Sequence, residues 1–325
     1  MSVFADDLLI LVDDLKIDEV RHTLDEDMKL KWTESIGPEW TRYLGKEWRD
    51  RGDGTFEVRV PPKYWRGLLE ESGLTEARPA ITPIDMGRNK NDDETASLDP
   101  QQHASFRRYV GKILYAAQVR SDVAYAIKEL ARRVANPSES DMCAMRHLIK
   151  YLKGTQDDVL VLGDSEYGTE TEIEVLADAN WADGPSRRST SGGAAFYNGF
   201  LLQSWARTQS VVALSTCEAE LLAISTATSE GLYLVHLLGE VGVNASLRLR
   251  SDSSAARLVV ARRGPGRMKH MEIRHLWLQE GFRRGAFELG IVKTDENVAD
   301  AFTKAFSGPR HGYLKSRLGL RPASG

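Results

Sequence analysis

The sequence predicts an α/β (α+β) chain built on a mixed sheet covered by helices, and three observations carry that prediction. Apolar side chains recur at helical spacing between residues 106 and 152. After Gly168 the period drops to two. From 216 onward, helical stretches alternate with short strands. A meander followed by strands alternating with helices gives a sheet with both parallel and antiparallel neighbours.

The elements follow in order. Phe106, Tyr109, Val110, Ile113, Leu114 and Ala117 fall at i, i+3, i+4, i+7, i+8 and i+11, one face of a helix. Val123, Ile127, Leu130, Ala131 and Val134 repeat the pattern until Asn136-Pro137 stops it. Ser138 then caps a third helix carrying Met142, Met145, Leu148, Ile149 and Leu152. These stripes read as core packing and carry no chemistry. Ile173, Val175 and Ala177 alternate with Glu174, Leu176 and Asp178 as a strand. Two apolar runs, 193–197 and 200–205, are joined by Asn198-Gly199, a strong hairpin signal. Segment 216–239 reads as a long helix and 247–249 as a short strand ending at Asp252. Helices are expected at 253–261, 269–284 and 295–305, with a strand at 286–294.

A chain of 325 residues is long enough for about two domains. Two cysteines, Cys143 and Cys217, exclude a disulfide scaffold and a cysteine-rich zinc module. No apolar run reaches 18 residues, and 1–14 lacks the basic start of a signal peptide. The chain is therefore expected to be intracellular, cytoplasmic or nuclear, neither secreted nor membrane-bound. A net charge of −4 excludes a globally basic nucleic-acid binder while leaving room for a local basic face.

Four acids fall at the ends of these elements: Asp178, Glu220, Asp252 and Asp300, separated by 42, 32 and 48 residues. They can meet only through the fold. Mg²⁺ prefers oxygen ligands and keeps several waters, and two such ions about 3.5–4 Å apart serve in-line displacement at phosphorus. Spacing alone favours reading each acid as an isolated helix cap or a surface charge.

The words around the acids are more specific. Leu176-Ala-Asp-Ala-Asn-Trp-Ala182, Arg187-Arg-Ser-Thr-Ser-Gly192 and Ala213-Leu-Ser-Thr-Cys-Glu-Ala-Glu-Leu-Leu-Ala223 resemble the ribonuclease H domain of copia-type LTR retrotransposon polyproteins. Arg250-Ser-Asp-Ser-Ser254, Lys269-His-Met-Glu-Ile-Arg-His275 and Asp295-Glu-Asn-Val-Ala-Asp-Ala-Phe-Thr-Lys304 extend the match. Upstream, Phe4-Ala-Asp-Asp-Leu-Leu-Ile10, Tyr43-Leu-Gly-Lys-Glu47, Tyr109-Val-Gly-Lys-Ile-Leu-Tyr115, Arg120-Ser-Asp-Val-Ala-Tyr-Ala126 and Tyr151-Leu-Lys-Gly-Thr155 resemble the same family's reverse transcriptase and the segment after it. Asn180, Cys217 and Leu221 depart from the family pattern, and 291–300 holds no histidine.

The resemblance implies a ribonuclease H-like mixed five-stranded sheet with flanking helices over 170–305. Before it would come a truncated reverse transcriptase palm remnant over 1–77, a flexible connector over 78–100 and a helical thumb or connection segment over 101–155. A C-terminal tail would follow over 306–325. It maps catalytic metal ligands onto Asp178, Glu220, Asp252 and Asp300, holding two Mg²⁺ ions with Mn²⁺ as a substitute. Asp6 and Asp7 match the paired aspartates of a polymerase hairpin. DNA synthesis is not expected, because the family's third aspartate and its fingers lie upstream of this stretch. The implied reaction is hydrolysis of the RNA strand of RNA–DNA hybrids. The hybrid is the expected partner, together with the N-terminal part of reverse transcriptase or other Pol products. A non-catalytic nucleic-acid-binding remnant of a decayed or domesticated element is the alternative, and a transposase or integrase a weaker one.

Between 248 and 284 ten Lys/Arg face three acids, an excess that would attract a polyanion. Arg262, Arg263, Arg267, Lys269, His270 and Arg274 there, with Arg187, Arg188, Ser189 and Ser191 in the turn after the first strand, are the candidate nucleic-acid contacts. Recognition would rest on backbone shape and 2′-hydroxyls.

Overall fold

The structure, a computed structural model, describes residues 2–4, 7–10, 16–27, 30–33, 35–87, 96–163, 171–182, 186–264 and 276–323. Its strands are β1 (Ser2–Phe4), β2 (Asp7–Leu9), β3 (Thr41–Tyr43), β4 (Lys46–Asp50), β5 (Phe56–Arg59), β6 (Asp158–Leu162), β7 (Glu172–Asn180), β8 (Thr190–Tyr197), β9 (Phe200–Thr208), β10 (Ser246–Ser251), β11 (Glu288–Ile291) and β12 (Leu320–Pro322). Its helices are α1 (Ile17–Asp27), α2 (Pro62–Ser72), α3 (Pro100–Ala116), α4 (Ala124–Ala131), α5 (Glu139–Gly154), α6 (Thr216–Glu240), α7 (Ser254–Ala261), α8 (Leu276–Arg283) and α9 (Gly308–Arg317).

One five-stranded sheet has the order β11-β10-β7-β8-β9. β7, β8 and β9 form an antiparallel meander, while β10 runs parallel to β7 and β11 parallel to β10. This is the mixed, ribonuclease H-like sheet that the sequence predicts. The β8–β9 hairpin closes through Asn198 and Gly199, both at positive φ (45° and 86°), as its right-handed strand twist requires.

Alternation sorts β7 between two cores. Ile173, Val175, Ala177 and Ala179 pack with Leu221, Ile224, Ala227 and Leu234 of α6 and with Val259 and Val260 of α7. Leu176 faces the other way. There Phe106, Ile113, Ile127, Met145, Leu148 and Ile149 of the helical layer meet Phe196 and Leu201 of the same sheet. The stripes on α3, α4 and α5 are thus core, with Leu114 the exception, since it lies exposed at the edge of its stripe; each buried side chain contributes about 1.5–3 kcal/mol. Helix α6 is long and apolar enough, by length and composition, to cross a membrane. Here it serves as a core helix, with Ala219, Ala223, Ala227 and Gly231 buried.

A second sheet, of order β12-β6-β5-β4-β3, lies outside what the sequence pattern revealed. Its pairs are all antiparallel. Charge hides it: Lys46-Glu-Trp-Arg-Asp50 and Phe56-Glu-Val-Arg59 show too few apolar residues to read as strands. Cross-strand pairs replace hydrophobic ones, with Arg49 Nε 2.6 Å from Glu57 and Arg59 Nε 2.7 Å from Glu47. The Trp40 ring lies under both guanidinium groups, 4.7 Å from Arg49 and 3.8 Å from Arg59.

Several expectations are revised. Residues 306–325 are more than a tail: α9 and β12 occupy most of them, and β12 supplies an edge of the second sheet. Residues 158–162, which fall between the expected segments 101–155 and 170–305, form the strand that joins β5 to β12. In the expected connector, 78–87 is pinned to α5: Ala80 N–H donates to Lys150 O at 3.2 Å, and the His147 ring meets Thr82 O at 2.9 Å. Residues 88–95 lie outside the described residues. The helix expected over 295–305 is a 3₁₀ turn, Val298–Phe302, started by the Asn297 side chain accepting from Ala299 N–H. Of the helix expected over 269–284, only α8 falls among the described residues. At the N-terminus, β1 and β2 pair as a hairpin with Phe4 opposite Asp7. Asp6 lies outside the described residues, and Asp7 enters only through its backbone.

Candidate active site

Strand register brings the first two acids together. β10 pairs with β7 so that Arg250 stands opposite Leu176. The same offset sets Asp252, just past the end of β10, level with Asp178. Glu220 arrives on the first turns of α6, whose start is fixed by Ser215 accepting from Glu218 N–H at 3.2 Å. Ligand oxygens of Asp178, Glu220 and Asp252 all lie within 4.8 Å of one another. Spacing left each of these acids readable as an isolated cap. The fold excludes that reading for all three.

Asp300 is delivered by the 3₁₀ turn. The Asn297 amide donates to Ala177 O at 3.2 Å, fastening the turn to β7 one residue before Asp178. The Thr303 hydroxyl donates to Asp178 Oδ2. The close approach needs Gly192, which pairs opposite Asp178 on β8. A Cβ at Gly192 would stand 2.6 Å from Thr303 Cγ2, 2.8 Å from Ala299 O and 2.9 Å from Phe302 Cβ. Backbone cannot yield as a side chain can, so Gly192→Ala is expected to cost about 1–3 kcal/mol. A urea unfolding midpoint lower than that of the unsubstituted protein checks it.

The electrostatics show strain among like charges. Burial, with Asp178 and Asp252 nearby, raises the Glu220 carboxyl to about 8, although the Ala179 backbone N–H helps the charged form. Burial and Asp178 likewise raise Asp300 to about 6. Lys304 opposes them: its Nζ lies 2.7 Å from Asp300 Oδ1 and 3.8 Å from Asp178 Oδ2. Its own pKa is raised, burial opposing the effect and Asp178 and Asp300 producing it. Arg310 adds a second cation, 3.8 Å from Asp300 Oδ2.

The sign of the pH dependence follows from Glu220. A carboxyl raised in the folded state contributes stability below its unfolded value of 4.5, and that contribution is lost as pH rises through about 8. In chelator, Glu220→Gln is therefore expected to gain in melting temperature over the unsubstituted protein progressively from pH 5 to pH 8. A gap that stays constant with pH would contradict the assignment.

The candidate nucleic-acid residues divide. Arg187, in left-handed backbone at φ 54°, and Arg188 are exposed. Ser189 and Ser191 are not surface hydroxyls. Both are buried, Ser189 Oγ accepting from Ala182 N–H at 3.2 Å and Ser191 Oγ from the Gln209 amide at 2.9 Å. Ser189 directly precedes β8 and Ser191 lies within it, and that strand is buried in all but its last residue, so neither is presented to a phosphate. Arg263 is exposed and Arg262 half-buried, whereas Arg267, Lys269, His270 and Arg274 lie outside the described residues. The basic excess is also smaller than the count implies. Arg248 pairs with Glu172 at 3.0 Å and Arg250 with Glu174 at 2.8 Å, both across the parallel β10–β7 pair. Arg284 pairs with Glu280, and Arg257 donates to Ser251 O.

Sequence reasoning passed over Asn297, Thr303 and Lys304 as functional residues. All three stand in the quoted word that ends at Lys304. The usable signal was spacing, since Lys304 follows Asp300 by four residues and returns to its carboxylate.

No protein-family model matches the chain. The retrovirus-related Pol polyprotein from transposon TNT 1-94 of Nicotiana tabacum is 25% identical over 330 residues, covering 98% of this chain and 24% of the polyprotein. Pol polyproteins from Arabidopsis thaliana and Saccharomyces cerevisiae match at 24–26%. The chain spans about a quarter or less of the length of these relatives. The secreted RxLR effector protein 161 of Plasmopara viticola is 36% identical over 127 residues, covering 38% of this chain and 87% of the effector. Among solved structures, the foamy viral protease-reverse transcriptase in complex with an RNA/DNA hybrid aligns with 78% of this chain and 29% of that one. Its identity is 9% and its TM-score 0.47. With Pol polyproteins aligned along nearly its whole length, the chain is similar to copia-type retrotransposon Pol polyproteins at about 25% identity.

Proposed function

We propose that this site hydrolyses the RNA strand of RNA–DNA hybrids with divalent ions, two Mg²⁺ or Mn²⁺ in their place. One observation carries the reading: three carboxylates from sequence-distant elements converge with ligand oxygens within 4.8 Å. The residues fit a hard cation. Asp178 and Glu220 are buried, and Glu220 Oε2 has no hydrogen-bond partner among the described residues. A buried carboxylate oxygen left unpaired is costly, and a divalent ion would satisfy it.

Asp178, Glu220 and Asp252 would supply the first set of oxygen ligands, with Asp300 beside them. When bound, the ions supply the Lewis acidity that activates water and stabilises the leaving 3′-oxygen. Thr303 and Asn297 hold Asp178 and the 3₁₀ turn in place. Arg187 and Arg188, exposed after β7, would meet the hybrid's phosphates.

The test is cleavage of a labelled hybrid. With Mg²⁺ the RNA strand should be cut and duplex DNA left intact, and chelation should stop the reaction. Cutting that persists in chelator, or duplex DNA cut as fast as hybrid, would overturn the proposal. A second reading, a non-catalytic nucleic-acid-binding or interaction protein, draws on the effector relative, which is not described as a Pol product. That reading expects binding that survives chelation and no cleavage in Mg²⁺.

A further inference from the structure

The four acids are not equivalent. Asp178, Glu220 and Asp252 form one cluster, whereas Asp300 is turned to cations of the chain itself. Lys304 Nζ reaches Asp300 Oδ1 at 2.7 Å and Asp178 Oδ2 at 3.8 Å, bridging the two. An Mg²⁺ ion shared by these carboxylates would need oxygens at about 2.0–2.1 Å. It would call on the same carboxylate oxygens that the ammonium engages, so the two cations would compete for them.

Lys304 is also able to leave. Its side chain is 42% exposed and ends a flexible four-carbon stem. Arg310 Nη1 is committed to Asp295 O at 2.6 Å, and its guanidinium stands farther from Asp300, at 3.8 Å.

We propose that Lys304 is a resident counter-ion that occupies the Asp178–Asp300 position, so that divalent ions load in sequence. The first ion enters at Asp178, Glu220 and Asp252. The second enters only by displacing the ammonium. This inference rests on the hybrid-nuclease reading and specifies how its site fills. Lys304 acts as a positioning residue: in the resting protein it holds Asp178 and Asp300 together against their mutual repulsion.

Mn²⁺ titration of the intact chain, followed by calorimetry and by loss of the free-ion resonance signal, tests it without any turnover. The unsubstituted protein should take up one ion, with a second at least tenfold weaker. Lys304→Gln should tighten the second ion tenfold or more, and Lys304→Arg, which keeps the charge, should restore the weak second step. Lys304→Gln should also melt lower than the unsubstituted protein in chelator and recover in Mn²⁺, a recovery that a merely structural lysine would not show. Unchanged second-ion affinity in Lys304→Gln, with the first ion lost in Asp252→Asn, would overturn the counter-ion and leave the metal site standing. If the unsubstituted protein binds no Mn²⁺, both fail together.

Discussion

Asp122→Ala is expected to destabilise the protein by about 3–5 kcal/mol, the cost of stranding a buried charge. The Asp122 carboxylate is wholly buried and receives Arg120 Nε at 2.9 Å, Arg120 Nη2 at 2.7 Å and the Tyr151 hydroxyl at 2.6 Å. Arg120, 1% exposed, also donates to Thr155 O and Thr155 Oγ1, both at 2.7 Å. Asp158 stands 3.6 Å from the same guanidinium and meets Lys315 of α9. Burial works against the Asp122 charge, and Arg120 overcomes it, holding the carboxyl down to about 2. The contribution is therefore present above the ordinary value of 3.8 and is lost as pH falls through about 2. Removing both Asp122 and Arg120 in favour of apolar residues should cost less than removing either alone, since no charge is then left unpaired. Denaturant midpoints of the two single variants and the double variant measure this directly, and additive losses would contradict it. The words Arg120-Ser-Asp and Tyr151-Leu-Lys-Gly-Thr155 are thus a structural knot that joins the helical layer to the C-terminal helix.

Asp252→Asn is expected to lower hybrid cleavage by a hundredfold or more while leaving the protein at least as stable in chelator. A metal ligand supplies several kcal/mol of transition-state stabilisation, and about 1.4 kcal/mol is a factor of ten in rate. Stability should move the other way. Asp252 is one of the charges that raise Glu220, so neutralising it relieves repulsion in the metal-free site. Rate from a labelled hybrid and melting temperature in chelator are read on the same preparation. A loss of activity that merely tracks a loss of folding would contradict the assignment.

The ribonuclease H-like sheet was legible because its strands are long and follow simple rules. β7 alternates, Asn198-Gly199 closes a hairpin, and α6 carries its own apolar stripe. The second sheet was not, since its strands run three to five residues, are paired by charge, and draw β6 and β12 from far along the chain. The acids were legible as the ends of elements, and register did the rest. Ser189 and Ser191 misled because a hydroxyl in a polar word looks like surface, whereas β8, which Ser189 precedes and Ser191 joins, is an inner strand between β7 and β9. Arg248 and Arg250 misled in the same way, since only the parallel pairing with β7 reveals Glu172 and Glu174 as their partners.

Anomalous diffraction from crystals grown with Mn²⁺ would test most directly whether the carboxylates of β7, α6 and β10 share an ion. The account predicts a peak at coordination distance from Asp178, Glu220 and Asp252 together. Density elsewhere, or side chains splayed from a common centre with Mn²⁺ present, would contradict it.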